Sequence, residues 1–365
     1  MTISFDTIPA SIRKPGAYFE FNTSLAVRTL PTNAQSICLI VPLGEGATAA
    51  ANVPTQVYSA DEAKKAFGDV AAEMVAAAIT AYRYVAISCV GVVTEGDAEP
   101  DIAAALDATA LGNFTILVPA WFSQAALTAL RSHIATYTDS IEQQSIIGVG
   151  ALTSSLSAAT TLAASLNAGA ITLAVLPGSS STPRQVAAAY AAVIASEEDP
   201  ARPLNTLVLA GLKVPAITQR LGRVEQETAL KNGVTPLEVG AGDVVQIVRA
   251  VSTYTKSAAG ADDVSLLDLT SIRTLYYVRQ ACRERIRLRF PRAKLSSRTA
   301  AAVRSELLDV LKKCEELEIV EEVDANADGL VVERSLQDAN RLNAAIPTDV
   351  VNGLHVFAGR IDMLL

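Results

Sequence analysis

One short motif carries the residue types that bind calcium. The segment DANADG, residues 324–329, matches the first half of a calcium-binding loop, in which oxygen ligands alternate and a glycine permits a sharp turn. The twelfth position of that loop supplies a bidentate carboxylate, but in this chain it is Ser335. A polar turn between two strands explains the segment better, so we predict no metal ion here.

A glycine-containing stretch resembles part of a phosphate-binding loop. Gly44 and Gly46 follow a predicted strand in LIVPLGEGATAA, where glycine lets the backbone approach a pyrophosphate. However, Pro42 interrupts the junction and Ala49 replaces the third glycine. The sequence also lacks the GxxxxGK[ST] motif. We therefore predict no nucleotide and no other cofactor.

Histidines and paired acids give no recognisable catalytic centre. The chain has two histidines, His133 and His355, and neither lies in a nucleophile elbow or an HExxH motif. The acidic runs at 197–199 and 315–316 are better explained as solvated ends and faces of helices than as acid–base pairs. We predict that the chain is not an enzyme.

Basic residues concentrate in residues 273–298, which hold nine arginine and lysine side chains against one acid. This segment has a charge of +8 in a chain of net charge −8, so the remainder carries −16. Arg279, Arg283 and Arg287 recur every four residues, which places them on one stripe of a helix. Two interpretations stay open: the stripe pairs with acids of the following helix, residues 306–316, or it binds an acidic partner.

The elements that must position these residues begin with a repeat of strands and helices. Short β-branched runs and Ala-rich helical stretches alternate from residue 36 to residue 211. Ser59 with Glu62, Ser123 and Pro183 have the types and spacing of helix starts. Apolar strands separated by helices predict an α/β fold, with a mainly parallel sheet flanked by helices. The predicted strands are SICLIV, residues 85–93, FTILVP, SIIGVG, ITLAVLP and TLVLAG.

After residue 230 the pattern changes to that of a C-terminal α+β domain. A hairpin is predicted around the turn at residues 240–242, followed by a helix over residues 270–290. A second helix opens at residues 296–297, and strands follow at 319–323 and 330–334. We therefore predict an α/β domain over residues 25–230 and a second domain over residues 231–351.

Both termini have the pattern of extended arms. Residues 1–24 contain Pro9 and the Pro15–Gly16 pair between short apolar stretches. The alternative for this segment is an edge strand and a loop packed on its own domain. Residues 352–365 read as a strand with one mostly apolar face. Its partner is either internal or another chain. The residues that we assign to the arm strands are Tyr18, Phe19, Phe21, Val356, Phe357, Ile361 and Met363.

Composition restricts the remaining classes of function. The net charge of −8 disfavours a general nucleic-acid binder. The Ala-rich stretch at 71–90 contains Glu73 and Arg83, and no apolar run follows a charged start, so we expect neither a membrane span nor a signal peptide. The four cysteines lie far apart without a CxxC pair, which favours buried, reduced thiols.

Four motifs follow one another from about residue 231 to the end: NGVTPLEVGAGDVVQIVRAVSTY, SAAGADDVSLLDLTSIRTLYYVRQACRERIRLRFPRAKL, IVEEVDANADGLVVER and IPTDVVNGLHVFAGRIDMLL. Their order resembles the tail sheath proteins of contractile-tailed bacteriophages, in particular their Mu-like branch. The N-terminal arm and VPTQVYSADEAKKAFG are also similar to that family. Phage tails and tail-derived bacteriocins share this pattern.

The resemblance implies a structural subunit that forms stacked hexameric rings around an inner tube and contracts to drive the tube through a bacterial envelope. Partners would be further copies of the chain, the tube protein, and baseplate and terminator proteins, with no nucleic acid and no membrane insertion. Assembly would occur in the host cytoplasm and the mature location would be the virion tail. Residues 354–364 would then pair with other chains.

The resemblance also suggests where the inner tube is contacted. Similar sheaths contact the tube through their C-terminal domain, so we place the basic helix on the inner side. The competing hypothesis is a cytoplasmic α/β nucleotide-binding enzyme with its site at the carboxyl ends of the strands. The predicted tube-facing residues are Arg279, Arg283, Arg287, Arg289, Arg292 and Lys294.

Overall fold

The structure, a computed structural model, describes Lys14, Gly16 and residues 30–96 and 98–363. The predicted arm residues Tyr18, Phe19 and Phe21 lie outside the described residues. The chain divides into two compact units, Met1–Pro31 and Thr32–Leu365. All of the described helices and strands belong to the second unit.

The first part of this unit alternates strands and helices. Its elements are β1 Ser36–Pro42, β2 Thr55–Val57, α1 Ala60–Phe67, α2 Asp69–Ala81, β3 Ala86–Val92, α3 Ala103–Thr109, β4 Ile116–Pro119, α4 Gln124–Tyr137, β5 Ile147–Leu152, α5 Leu156–Leu166, β6 Ile171–Val175, α6 Pro183–Ser196, α7 Arg223–Lys231, β7 Thr235–Gly240 and β8 Val244–Ile247. The second part consists of α8 Leu269–Arg289, α9 Ser297–Glu316, β9 Val320–Glu321, β10 Val331–Arg334, β11 Leu342–Ala345 and β12 Asp349–Val350.

Among the described residues, eight strands form one sheet in the order β2-β3-β1-β4-β5-β6-β7-β8. Strand β1 lies between β3 and β4 and pairs with both in parallel. The parallel pairing continues through β5 and β6 to β7, while β2 and β8 join the two edges in antiparallel fashion. The prediction of a mainly parallel sheet flanked by helices is confirmed.

The sheet has a hydrophobic core on each face because its strands alternate the direction of their side chains. In β1, Ile37, Leu39 and Val41 belong to the core that α1, α2 and α6 cover. Cys38 and Ile40 belong to the core on the other face, where α3, α4, α5 and α7 pack. Both faces are therefore closed, as nearly continuous apolar strands require.

Helix α6 is buried on all sides over residues 186–195. It packs between helix α2 and strands β1, β4 and β5, and alanine lets these neighbours approach closely. Its large side chain, Tyr190, places its hydroxyl 2.9 Å from Thr172 Oγ1 and 3.2 Å from Thr235 Oγ1. These bonds satisfy polar groups that burial would otherwise leave unpaired. Burial raises the pKa of Tyr190 to about 12, although the two threonines oppose the shift.

The predicted helix starts are confirmed by their capping bonds. Ser59 Oγ accepts the Glu62 amide at 3.1 Å, and the Glu62 carboxylate accepts the Tyr58 amide at 2.8 Å. Ser123 caps α4 by accepting the Ala126 amide. Pro183 occupies the first turn of α6, where its missing N–H costs nothing.

Two expectations about the sheet differ from the structure. The prediction of a strand at TLVLAG was wrong, because in that segment Val208 forms an isolated bridge to Gln246 and no strand. The hairpin predicted to open a second domain at residue 231 instead extends the first sheet, since β7 pairs with β6. Buried Thr235 of β7 is hydrogen-bonded beside Thr172 of β6, which joins this hairpin to the main core.

The C-terminal part packs two helices with short antiparallel strands. Helices α8 and α9 contact each other, and the β10–β11 hairpin packs on α9. Strand β12 pairs with β9, so the chain returns to the end of α9 before its last segment begins. Leu269 and Tyr276 of α8 join the core shared with α2 and α6, which fixes α8 to the α/β sheet.

Candidate assembly surfaces

The last described segment exposes a set of large apolar side chains. Residues 351–363 form neither a helix nor a strand, and they follow β12 directly. Five of their apolar side chains are between 78% and 99% exposed: Leu354, Val356, Phe357, Ile361 and Met363. Soluble proteins rarely leave so much contiguous apolar surface in water unless it marks an interaction site. We call residues 352–363 the C-terminal arm.

The predicted terminal strand had two possible partners, a strand of the same chain or one of another chain. Pairing within the same chain is not formed in the described part of the chain. No strand pairing involves the C-terminal arm there, and its backbone groups remain available to an edge strand of another molecule. Pairing with another chain stays a prediction. His355 is the exception to the exposure, because it lies near Asn205 and Asp268.

The β10–β11 hairpin offers edges to which an extended segment can add. Its register runs from Val331 opposite Ala345 to Arg334 opposite Leu342. In the described residues each of the two strands pairs with the other alone, so each leaves one edge without ladder hydrogen bonds. Val331 is 46% exposed. The hairpin thus presents both unpaired backbone and apolar surface.

Part of the basic segment pairs inside the chain, as the first interpretation expected. Arg285 Nη1 donates to Glu306 Oε2 at 3.0 Å and to Asp309 Oδ2 at 2.6 Å. Arg289 donates to the same Glu306 carboxylate at 3.1 Å. Lys313 Nζ lies 3.7 Å from Asp309. This ion network joins α8 to α9, and its central guanidinium is 3% exposed.

Three further arginines of α8 donate to backbone carbonyls of the α/β sheet domain. Arg279 donates to Thr138 O and Gln144 O, both at 2.7 Å, and Arg283 donates to Gln143 O at 3.2 Å. Buried Arg273 donates to Glu197 O. Burial lowers the pKa of Arg273 to about 10, against the opposing effect of nearby carboxylates. These guanidinium groups attach α8 to the end of α4 and to the segment after α6.

Three of the four remaining basic residues form an exposed tip at the far end of α8, and the fourth, Arg298, lies in α9. Arg287, Arg292 and Lys294 are exposed, and within the described ranges none of them has an ion pair to a carboxylate. We call these three residues the basic tip. Of the six predicted tube-facing residues, the structure therefore leaves these three available, while Arg279, Arg283 and Arg289 already hold partners within the chain.

The motifs that resembled ligand sites have structural roles. Asp324 of the DANADG turn pairs with Lys312 at 2.7 Å, and the described residues contain no group of three or more potential metal ligands. Gly44 packs against Gly68, where an added Cβ would lie 3.1 Å from the Gly68 Cα. His133 is buried near Asp107 and Thr109, and burial lowers its pKa although Asp107 opposes the shift.

The cavities do not favour a nucleotide-binding enzyme. At the carboxyl ends of β6 and β7, a cavity of about 130 Å³ lies between Leu176 and Leu237. Ligand pockets have volumes of roughly 300–1,000 Å³. A larger cavity of about 450 Å³ lies near the opposite ends of β4 and β5, beside Thr115 and Ile147. It is at the wrong edge of a parallel sheet for a nucleotide site.

One further cavity, of about 440 Å³, lies beyond the carboxyl ends of β3 and β4 and has the volume of a ligand pocket. Its lining includes Glu99 and Asp101 and no basic side chain, which does not suit a phosphate group.

Comparison with known proteins assigns this arrangement to a family. Residues 95–253 match the model described as the phage tail sheath protein central domain, and residues 261–363 match that of the phage tail sheath C-terminal domain. The chain belongs to the phage tail sheath family. The two matched regions meet just after the β7–β8 hairpin, so the family models also keep this hairpin with the central domain.

Individual sheath proteins share sequence or fold with the chain. It is 35% identical over 192 residues to the Mu-like prophage FluMu tail sheath protein of Haemophilus influenzae, an alignment that covers 49% of this chain and 39% of that relative. The alignment thus spans about two fifths of the length of this relative.

The fold is also that of solved sheath structures. The sheath tail protein of Desulfitobacterium hafniense matches with a TM-score of 0.65 at 11% identity, over 93% of this chain and 97% of that one. The contracted helical sheath of the anti-feeding prophage matches with a TM-score of 0.63 at 12% identity, over 97% and 99%. At such identities the likeness concerns the fold alone.

Proposed function

We propose that the chain is the structural subunit of a contractile tail sheath. Copies assemble as stacked hexameric rings around an inner tube, and the lattice contracts to drive the tube through a bacterial envelope. The observation that carries the proposal is the exposed apolar C-terminal arm on a body of the sheath family. An arm that finds no strand partner in its own described chain is suited to join another subunit.

The acceptor that we propose is the β10–β11 hairpin of a neighbouring subunit. An added strand would complete the ladder at a free edge, and its alternating side chains would set the register. A contact between two different surfaces, repeated by each subunit, generates a helical lattice and not a closed dimer. Arms of this kind keep subunits connected while the bodies rotate to form new contacts.

Contraction on this proposal needs no enzymatic chemistry. The described residues contain no group of three or more potential metal ligands, and the matching family models are those of phage tail sheath proteins. Energy would be stored at assembly as a less favourable set of interfaces between rigid bodies. Even a few kcal/mol per subunit becomes large when neighbours in a lattice switch together.

Further copies of the chain, an inner tube, a baseplate and a tail terminator are the proposed partners. Assembly would take place in the host cytoplasm, and the mature subunit would be part of a virion tail or a tail-like particle. No helix in the described part of the chain is long and apolar enough to cross a membrane. The proposed contact with the tube is the basic tip, which faces an acidic tube wall.

The first test of this function is self-assembly. Purified full-length chain, concentrated at moderate salt alone and with its tube protein, is expected to form hollow tubes or stacked rings in negative-stain electron microscopy. Sedimentation of the same samples gives the assembled fraction. Uniform small particles under both conditions would contradict the sheath proposal.

The contact with the tube is tested by reversing charge at the basic tip. The triple variant Arg287→Glu, Arg292→Glu and Lys294→Glu is expected to weaken co-sedimentation with tubes by about tenfold or more at low salt, because complementary charge becomes repulsive. The effect should shrink as salt is added.

The matched control changes the net charge by the same amount elsewhere. Arg131, Arg223 and Lys231 are exposed on helices α4 and α7, and the control variant replaces all three by glutamate. It should bind tubes like the unmodified chain. Equal losses in both triple variants would mean that net charge, and not the basic tip, governs the contact.

A further inference from the structure

The root of the C-terminal arm is held against the body at a defined place. Gly353 packs on Pro203, where an added Cβ would lie 2.6 Å from the proline Cγ. His355 is 13% exposed, whereas its neighbours Leu354 and Val356 are 81% and 78% exposed. The histidine therefore turns inward at the point where the rest of the arm becomes solvent-exposed.

Both ring nitrogens of His355 face polar groups of the body. Its Nδ1 lies 2.9 Å from the Asn205 side-chain nitrogen, and its Nε2 lies 3.4 Å from Asp268 Oδ1. An amide nitrogen is a donor, so Nδ1 accepts and the neutral ring carries its proton on Nε2, directed at the carboxylate. The tautomer with its proton on Nε2 thus suits both the contact with Asn205 and the contact with Asp268. At 3.4 Å the contact with Asp268 is mainly electrostatic.

Asp268 is itself held by the guanidinium group of Arg249. Arg249 binds its carboxylate in bidentate geometry, at 2.8 Å from Nε and 2.6 Å from Nη2. Partial burial raises the pKa of Asp268, but its interactions with His355 and Arg249 outweigh this effect, and the pKa falls to about 2. The carboxylate therefore stays charged at any pH at which the protein would be handled.

Asp268 also directly precedes α8, the helix whose other end leads to the basic tip. A helix of 21 residues is about 32 Å long, so this rigid element connects the arm root to the tip. Asn205 lies after α6, and the amide of the next residue, Thr206, donates to the carbonyl of Ile247 in β8. The histidine thus touches both the main sheet region and the start of α8.

We propose that Asn205 and Asp268 clamp His355, and thereby fix the position and direction in which the C-terminal arm leaves the body. We call these three residues the arm-root clamp. This inference rests on the proposed function and adds to it the residues that position the arm for a neighbouring subunit. Because the ten residues after the clamp reach at most about 35 Å, the starting point decides which acceptor they can meet.

A loosened root should weaken assembly without removing any contact between subunits. A mobile arm samples more directions, so its effective concentration at the acceptor falls and its ordering on docking costs more entropy. His355→Ala removes both contacts of the ring. Asn205→Ala removes only the contact with Nδ1 of His355. Because Asn205 lies in a loop, this variant can still test the clamp if His355→Ala folds poorly.

The position of the arm is measured by the distance between two spin labels. Val356→Cys places one label beside the clamp, and Ser305→Cys places the other on the exposed face of α9. The natural cysteines of the chain are buried. Burial raises the pKa of Cys89 and of Cys282 to about 12, so these thiols react poorly. The experiment uses the full chain at concentrations below assembly.

Both clamp variants are expected to broaden the distribution of distances between the two labels about twofold. The control is Arg360→Ala, which alters an exposed residue paired with Asp362 and should leave the distribution unchanged. In unlabelled chains, the critical concentration for assembly is expected to rise about three- to tenfold. Unchanged distance widths in both clamp variants would overturn the clamp.

Two other results separate the clamp from the proposed function. Broader distances with an unchanged critical concentration would overturn the positioning role in assembly. If the unmodified chain does not assemble at all, the proposed function fails, and the distance widths still decide whether the clamp exists.

Discussion

A chain truncated after Val351 is expected to remain folded and to lose self-assembly. The cut removes the exposed Leu354, Val356, Phe357, Ile361 and Met363 but leaves the β9–β12 pair and both faces of the main sheet intact. The full-length chain should form tubes or rings in negative-stain electron microscopy, and the truncated chain should form none. Circular dichroism and thermal unfolding measure whether the body keeps its fold.

The body should lose little stability because the arm contributes few buried side chains. Of the removed residues, Gly353 and His355 contact the body closely. A hydrogen bond of this kind contributes about 0.5–1.5 kcal/mol. Loss of assembly together with a large fall in stability would instead mean that the arm is part of the fold.

Point substitutions separate the apolar side chains from the length of the arm. Phe357→Asp with Ile361→Asp should reduce assembly strongly, because charge is introduced on the surface that docks. The matched control is Ile217→Asp with Val224→Asp, since both residues are 79% exposed and lie outside the arm. The control should assemble normally. Equal behaviour of the two double variants would argue against a specific role for the arm.

The structural features that were predicted correctly depend on residues that are close together in the sequence. The strand Ser36–Pro42 follows from one apolar run, and the caps at Ser59 and Ser123 follow from spacings of three residues. Such patterns are set by local backbone geometry and by alternation of side chains. The segment at residues 206–211 was misassigned because an apolar run shows burial but not which edge partner is present.

The basic segment shows why the candidate surfaces could be predicted in part. Its charge was evident, and pairing with Glu306 was one of the two interpretations. That Arg279 would bind carbonyls more than 130 residues away depends on how α8 lies against the segment that follows α4. Helical spacing alone places arginines on a stripe without showing what the stripe meets. The clamp at His355 was missed for the same reason, because Asn205 lies 150 residues earlier.

The second large effect is expected at Arg285, the centre of the ion network between α8 and α9. Arg285→Ala should lower the free energy of unfolding by about 3 kcal/mol, because it leaves two partly buried carboxylates without their shared cation. The loss of stability is moderated because Glu306 still pairs with Arg289, and Asp309 still lies near Lys313. Urea denaturation of the full chain below its assembly concentration measures this change.

A companion pair of variants distinguishes electrostatics from packing. Arg292→Ala at the exposed basic tip should change stability by no more than about 0.5 kcal/mol. In a double-mutant cycle, Arg285→Ala and Glu306→Ala should show a coupling of about 1–3 kcal/mol, since each removes the same interaction. If Arg285→Ala were as mild as Arg292→Ala, water would already solvate the network. Helices α8 and α9 would then be held together by their buried apolar side chains, which include Val278 and Leu307. The basic tip would then be free to shift relative to α9 when subunits rearrange. A strong coupling energy between Arg285 and Glu306 would instead mean that α8 and α9 move as one rigid body during contraction.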